Sequence, residues 1–198
     1  MAKHVEYFFA PVSGYAYLGH AAFLEIANRN GAEVILRPFN IIALFSGQGT
    51  VPPPKQGDKR LSYRQEDMAR WADRRGLPLN AKPAYWPADP GPSSRAILAA
   101  ESLGYDAGAI AGAFMTGIWA EDRNLADATD LSEMLDTLGL PAADILTKAE
   151  TADMIAAYEA NTARADRLGV FGSPTFVVDG VRYYGQDRLD FVAEALVG

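Results

Sequence analysis

Strand-like runs occur at the two ends of this 198-residue chain, and helical patterns fill the length between them. Near the start, His4–Phe9 and Glu33–Phe39 are rich in β-branched and aromatic residues, which favours strands. The segment between them begins near Ser13, has apolar residues at helical spacing and meets a stop signal at Asn30-Gly31. A strand, a helix and a strand in this order predict two parallel strands joined by a right-handed crossover.

Strand signals return after Gly169. Thr175–Tyr184 contains two short strand-like runs around Asp179-Gly180, a dipeptide that strongly favours a two-residue hairpin turn. A last amphipathic helix follows the hairpin. The order strand–helix–strand, then helices, then strand–strand–helix predicts a four-stranded mixed sheet with an inserted all-helical domain. The fold class is therefore α/β.

The helical insertion is assigned to residues 46–165, and the sheet domain to residues 1–45 and 166–198. Two connections in the insertion are rich in proline. Residues 46–60 also contain several glycines and are predicted to form an irregular loop. No helix is expected to run through residues 76–94, because proline lacks the amide hydrogen that a helix interior requires.

The acidic balance of the chain limits its partners. A net charge of -7 and a pI near 4.8 argue against nucleic acid and anionic membranes. The most apolar run, Ala107–Trp119, is shorter than the ~18 residues that a membrane span needs, and the start resembles no signal peptide. We therefore expect a cytoplasmic protein. His4 and His20 are too few and too poorly spaced to predict a metal site.

The chain has no cysteine, which excludes a disulfide framework and a cysteine nucleophile. Ser13 stands where the first strand turns into the first helix. The free backbone N–H groups and the dipole at such a helix start stabilise anions, including thiolates. The alternative interpretation is that Ser13 only caps the helix, which contributes about 1 kcal/mol.

Ser173-Pro174 stands directly before an apolar strand. A trans proline at a strand start is one interpretation. The other is a cis-proline loop that presents the backbone N–H and C=O of Ser173 to a peptide-like ligand. In the predicted fold this loop and Ser13 face each other at one end of the sheet.

Four stretches carry a resemblance to a known family: FFAPVSGYAYLG, RPFNIIALFSGQGTVPPPKQGDK, GIWAEDRNLAD and GVFGSPTFVVDGVRYYGQDRLDFV. They resemble the 2-hydroxychromene-2-carboxylate isomerases, which are grouped with kappa-class glutathione transferases and have a thioredoxin-like fold. Thioredoxin-like redox proteins carry the first cysteine of C-x-x-C where this chain has Ser13. Here the four residues are Ser13-Gly14-Tyr15-Ala16, so dithiol chemistry is impossible.

The resemblance implies that glutathione is the cofactor, and it implies a set of binding residues: Ser13, Thr50, Lys59, Ser173, Pro174, Gln186 and Asp187. Ser13, also the catalytic residue, matches the serine that donates to the glutathione sulfur, and Lys59 matches the lysine that reaches the glycyl carboxylate. The Ser173 backbone matches the partner of the cysteinyl part. Gln186 and Asp187 match the pair that holds the γ-glutamyl end.

The sequence departs from the family pattern near these positions. Gly14 and Ala16 replace the proline and the second serine of a usual Ser-Pro-Tyr-Ser run, Ala10 replaces an acidic residue, and Thr50 replaces an asparagine. Ser13 is retained. These departures bear on the shape of the pocket and on the exact substrate more than on the thiolate role.

The resemblance also implies the reaction. A cyclic hemiketal carboxylate from bacterial naphthalene breakdown is converted to trans-o-hydroxybenzylidenepyruvate, with no net redox change. Tyr15, Tyr85 and Trp86 are expected to flank the aromatic substrate, although packing is an equally good interpretation for Trp86. Two alternatives stay open: a transferase that conjugates glutathione to electrophiles, and a non-catalytic binding protein. Similar proteins are commonly homodimers, and a homodimer is expected here.

Overall fold

The computed structural model describes residues 3–197, and its centre is one four-stranded sheet. The strands are β1 (His4–Phe9), β2 (Glu33–Pro38), β3 (Thr175–Val178) and β4 (Val181–Tyr184), in the order β2-β1-β3-β4. β1 pairs with β2 in parallel, and the β1–β3 and β3–β4 pairs are antiparallel. The predicted four-stranded mixed sheet and the α/β class are confirmed.

The helices within the described residues are α1 (Gly14–Arg29), α2 (Ile41–Gly47), α3 (Asp58–Arg75), α4 (Gly91–Ser102), α5 (Ala107–Ala120), α6 (Ala128–Thr137), α7 (Ala142–Ala149), α8 (Ala152–Arg167) and α9 (Leu189–Val197). Short 3₁₀ turns cover Pro53–Lys55 and Gln186–Arg188. None of these helices, in the part of the chain that the structure describes, is long and apolar enough to cross a membrane.

The irregular loop predicted for residues 46–60 is wrong at both of its ends. α2 runs on to Gly47 and α3 already begins at Asp58. α2 forms because the side chain of Asn40 accepts a hydrogen bond from the Ala43 amide at 3.0 Å, which caps the helix. The predicted domain boundaries stay a prediction. The first boundary lies within α2 and the second lies within α8.

Aromatic packing on β1 forms the centre of the core. The Tyr7 ring lies 4.6 Å from Phe9, 4.7 Å from Phe23 and 5.1 Å from Phe176, measured between ring centroids. His20 of α1 is buried beside this group and lies 3.3 Å from the Tyr7 hydroxyl and 2.9 Å from the Gly108 carbonyl oxygen. Burial lowers the pKa of His20, so the imidazole is neutral and joins α1 to α5.

An ion cluster ties the helical segment to the sheet. The Glu6 carboxylate of β1 accepts hydrogen bonds from both Arg164 of α8, at 2.6 Å from Nη2, and Arg37 of β2, at 3.1 Å from Nε. Arg37 also donates to Asn161 at 3.2 Å, and Asn161 donates to the Pro38 carbonyl oxygen. The hydrogen bonds from Arg164 hold the pKa of Glu6 below its ordinary value.

We predict that Glu6→Gln lowers the free energy of unfolding by about 2 kcal/mol, because the two arginines lose a charged acceptor. Since the folded state lowers the pKa of Glu6, its contribution is complete above pH ~4.5 and is lost as the pH falls further. Urea unfolding at several pH values measures both effects. Glu33→Gln is the matched control: this exposed carboxylate also sits on the sheet, and less than about 0.5 kcal/mol is expected. Equal losses in both variants would contradict the prediction.

Candidate functional site

Ser13 lies between β1 and α1 and caps the helix. Its backbone is extended, with φ -85° and ψ 117°, and its Oγ accepts a hydrogen bond from the Ala16 amide at 3.3 Å. The predicted cap is therefore present. The amides of Gly14 and Tyr15, in the first turn, donate to no other described residue. The capping serine thus stands beside unpaired donors at the positive end of the helix dipole.

The loop before β3 faces this helix start. The Ser173–Pro174 peptide bond is cis, as one interpretation of the sequence predicted. The Ser13 hydroxyl donates to the Ser173 carbonyl oxygen at 3.1 Å, and the Ala10 amide donates to the Ser173 Oγ at 2.9 Å. The Ser173 amide donates to no other described residue. The predicted meeting of the two loops is confirmed, and unpaired N–H groups lie on both sides of the contact.

Beside this contact is a cavity of about 280 Å³ that both serines line. Its other walls are mostly apolar and come from α2 and the proline-rich segment after it: Ile41, Ile42, Phe45, Pro52, Pro53 and Pro54. Lys55 and Arg64 bring positive charge to the lining, and Tyr15, Trp86 and Tyr184 bring aromatic rings. An apolar pocket with few polar groups is the usual form of a small-molecule site.

The polar ends of the aromatic side chains are fixed by hydrogen bonds. The Tyr15 hydroxyl donates to Asp67 at 3.0 Å, and the Trp86 indole N–H donates to the Val12 carbonyl oxygen at 3.2 Å. The Arg64 guanidinium lies over the Tyr15 ring, 4.6 Å from its centroid. Burial raises the pKa of Tyr15 and of Tyr184, so both phenols are protonated at neutral pH.

The structure brings some of the predicted site residues together and leaves others apart. Ser13, Tyr15, Trp86 and Ser173 line the cavity, with Pro174 directly after Ser173. Other predicted residues lie outside its lining: Thr50, Lys59, Tyr85, Gln186 and Asp187. Thr50, Lys59 and Tyr85 are exposed, and the lysine that does line the cavity is Lys55.

Gln186 has a packing role in this structure. It is buried, and its side-chain oxygen accepts hydrogen bonds from the Arg75 guanidinium at 2.7 and 3.1 Å. With Asp187 it lines a separate depression beside α3. Asp187 is nevertheless near enough to Tyr184, a lining residue of the main cavity, to raise the pKa of that phenol.

The sequence reasoning missed Lys55, Arg64, Tyr184 and the α2 wall. For Arg64 a signal was present: it lies one helical turn before the apolar residue Met68, on the same face of the helix. The other residues carry no local pattern that indicates a site.

Gly14 is required by close packing at the helix start. A Cβ built there would lie 2.2 Å from the Met68 Cε and 2.9 Å from the Trp119 Cζ2. The Met68 methyl group can move, whereas Trp119 is a buried ring.

We predict that Gly14→Ala destabilises the fold by about 2 kcal/mol through overpacking, as measured by urea unfolding. Gly47→Ala in α2 is the control, because a Cβ there meets nothing within 4 Å. That variant should be neutral or slightly stabilising, since alanine favours helix. The packing argument fails if Gly14→Ala is as stable as the control.

Comparisons with known proteins show which proteins this chain is similar to. The family model of the DSBA-like thioredoxin domain matches residues 4–197. A 2-hydroxychromene-2-carboxylate isomerase from Sphingobium xenophagum is 26% identical over 202 residues, covering 100% of both chains. A solved structure of a 2-hydroxychromene-2-carboxylate isomerase superposes with a TM-score of 0.82 at 21% identity, over 98% of this chain and 94% of the other.

The cytosolic disulfide reductase DsbM from Pseudomonas aeruginosa, solved with GSH, superposes with a TM-score of 0.69 at 22% identity, over 98% of each chain. These structural likenesses confirm the thioredoxin-like fold. Because the family model covers almost the whole length, the chain belongs to the DSBA-like thioredoxin domain family.

Proposed function

We propose that this protein is a glutathione-dependent isomerase that converts 2-hydroxychromene-2-carboxylate to trans-o-hydroxybenzylidenepyruvate, a step of naphthalene-type aromatic degradation. The observation that carries the proposal is the Ser13 hydroxyl, set at the start of α1 and 3.1 Å from the cis-proline loop, in a chain without cysteine. The full-length similarity to an isomerase supports the reaction type.

The donor groups around Ser13 fit the cysteinyl part of glutathione. The unpaired amides of Gly14 and Tyr15 suit an anion at the helix start, and the unpaired Ser173 amide suits a peptide carbonyl group. Lys55 offers a positive charge for a carboxylate in the same lining. The structure of the disulfide reductase DsbM with GSH adds support for a tripeptide thiol in this fold.

When bound, glutathione would supply a thiolate nucleophile, which the chain itself lacks. A thiol has an ordinary pKa of about 8.5, so most of it is protonated at neutral pH. The Ser13 hydroxyl has a single hydrogen, which it now donates to the Ser173 oxygen. Redirecting that hydrogen to a sulfur anion, beside the helix start, lowers the thiol pKa by about one to two units.

The remaining lining residues suit a flat, apolar substrate. Ile41 and Phe45 exclude water from the space beside Ser13, and Trp86 presents a ring that its indole hydrogen bond holds in place. Excluding water strengthens every electrostatic interaction inside the cavity. A cytoplasmic location fits the proposal, because glutathione keeps thiols reduced in that compartment.

We predict that Ser13→Ala lowers the isomerase activity at neutral pH about 10- to 100-fold, because the bound thiol returns toward its ordinary pKa. The ultraviolet absorbance of the thiolate, titrated against pH in the complex, should shift to higher pH by about one to two units. Ser62→Ala is the matched control, since Ser62 is an exposed helical serine whose hydroxyl donates to the Lys59 carbonyl oxygen. Thermal unfolding measures the separate loss of stability, about 1 kcal/mol, that comes from removing the helix cap.

Isomerisation that proceeds equally well without added glutathione would contradict this mechanism. So would an unchanged thiolate titration in Ser13→Ala. Steady thioether formation from a chloronitrobenzene, without isomerisation of the chromene, would instead indicate a transferase.

A further inference from the structure

Arg64 of α3 is a half-buried cation whose guanidinium makes no hydrogen bond or ion pair with another described residue. It lies 4.6 Å from the Tyr15 ring centroid and 5.6 Å from that of Trp86. Burial lowers the pKa of Arg64 from its ordinary value, although the guanidinium stays charged at neutral pH. A desolvated guanidinium with unused donors favours an anionic partner.

Asp67, a carboxylate about one helical turn after Arg64, is already engaged. One of its oxygens accepts from the Tyr15 hydroxyl at 3.0 Å, and the other lies 3.4 Å from Arg70 Nη2. Asp67 therefore helps to keep Arg64 charged without pairing with it. The planar donor fork of Arg64 is left for a ligand, and that fork matches a carboxylate in bidentate geometry.

Arg64 and Trp86 also form the boundary between two spaces. Both line the 280 Å³ cavity beside Ser13 and a second cavity of about 180 Å³. The second is lined by residues such as Met68, Leu79 and Trp119. A ligand in the first cavity thus meets mostly apolar lining residues and the Arg64 guanidinium, which the two cavities share.

We infer that Arg64 binds the carboxylate of a flat aromatic acid whose ring fills the cavity beside Ser13. This inference deepens the proposed function, because it assigns the residue that recognises the acid group of the substrate. The competing anion is the glycyl carboxylate of glutathione. We assign that group to Lys55, because Lys55 is exposed whereas Arg64 is enclosed by two aromatic rings.

Calorimetric titration of the glutathione-free protein with trans-cinnamate and with neutral cinnamamide tests the assignment. The native chain should bind cinnamate about 10-fold tighter or more, since a bidentate charged pair is lost with the amide. Arg64→Gln should remove this preference, and Arg64→Lys should retain part of it. Arg60→Gln, an exposed arginine one turn earlier on α3, should leave the preference unchanged. Glutathione affinity should be the same in all variants.

Equal binding of the acid and the amide by the native chain would overturn the inference. So would a preference that survives in Arg64→Gln, or a loss of glutathione affinity in that variant. Circular dichroism and thermal unfolding verify that the variants are folded. If the chain has no isomerase activity but the acid preference depends on Arg64, the proposed function fails and this inference stands.

Discussion

The hydrogen bond from the Ser13 hydroxyl to the Ser173 carbonyl oxygen is the contact on which the candidate site depends. It joins residues 160 positions apart, and the bond from the Ala10 amide to Ser173 Oγ reinforces it. The sheet makes this meeting possible, because β1 and β3 are antiparallel neighbours with Phe8 opposite Thr175. The end of β1 and the start of β3 therefore lie at the same end of the sheet, and the helix start and the cis-proline loop meet there.

The sheet and the helical segment contribute different properties to the site. The hydroxyl and the unpaired amides belong to the start of α1 and to the loop before β3, next to the paired ends of β1 and β3. The apolar wall and the cations come from α2, α3 and the loop between them. Glu6 and Arg164 hold α8 against the sheet, and α2 in turn meets α8 through the bond from the Asn40 amide to Thr162. The polar donors and the apolar walls of the candidate site can therefore be altered separately.

Much of the fold could be predicted because its signals are local. Asp179 and Gly180 have φ of 50° and 80°, as the hairpin dipeptide requires, and Ser13 caps a helix. α2 was missed because its short sequence lies next to a glycine- and proline-rich segment. The site was harder to predict, because the direction of a side chain depends on tertiary contacts. The sequence could not reveal that Arg75, 111 residues away, engages Gln186, or that Lys55 lies in the lining and Lys59 outside it.

The wall formed by Arg64 and Trp86 has a consequence for ligand size. Arg64 comes from α3 and Trp86 from the segment before α4, and both residues line the two cavities. The length of ligand that the cavity accepts is then set by the rotamers of these two side chains. Arg64 and Trp86 therefore decide whether a ligand with one ring or with two fused rings fits. A single codon change can shorten either side chain, while the contact between the two serines at the end of the sheet stays as it is.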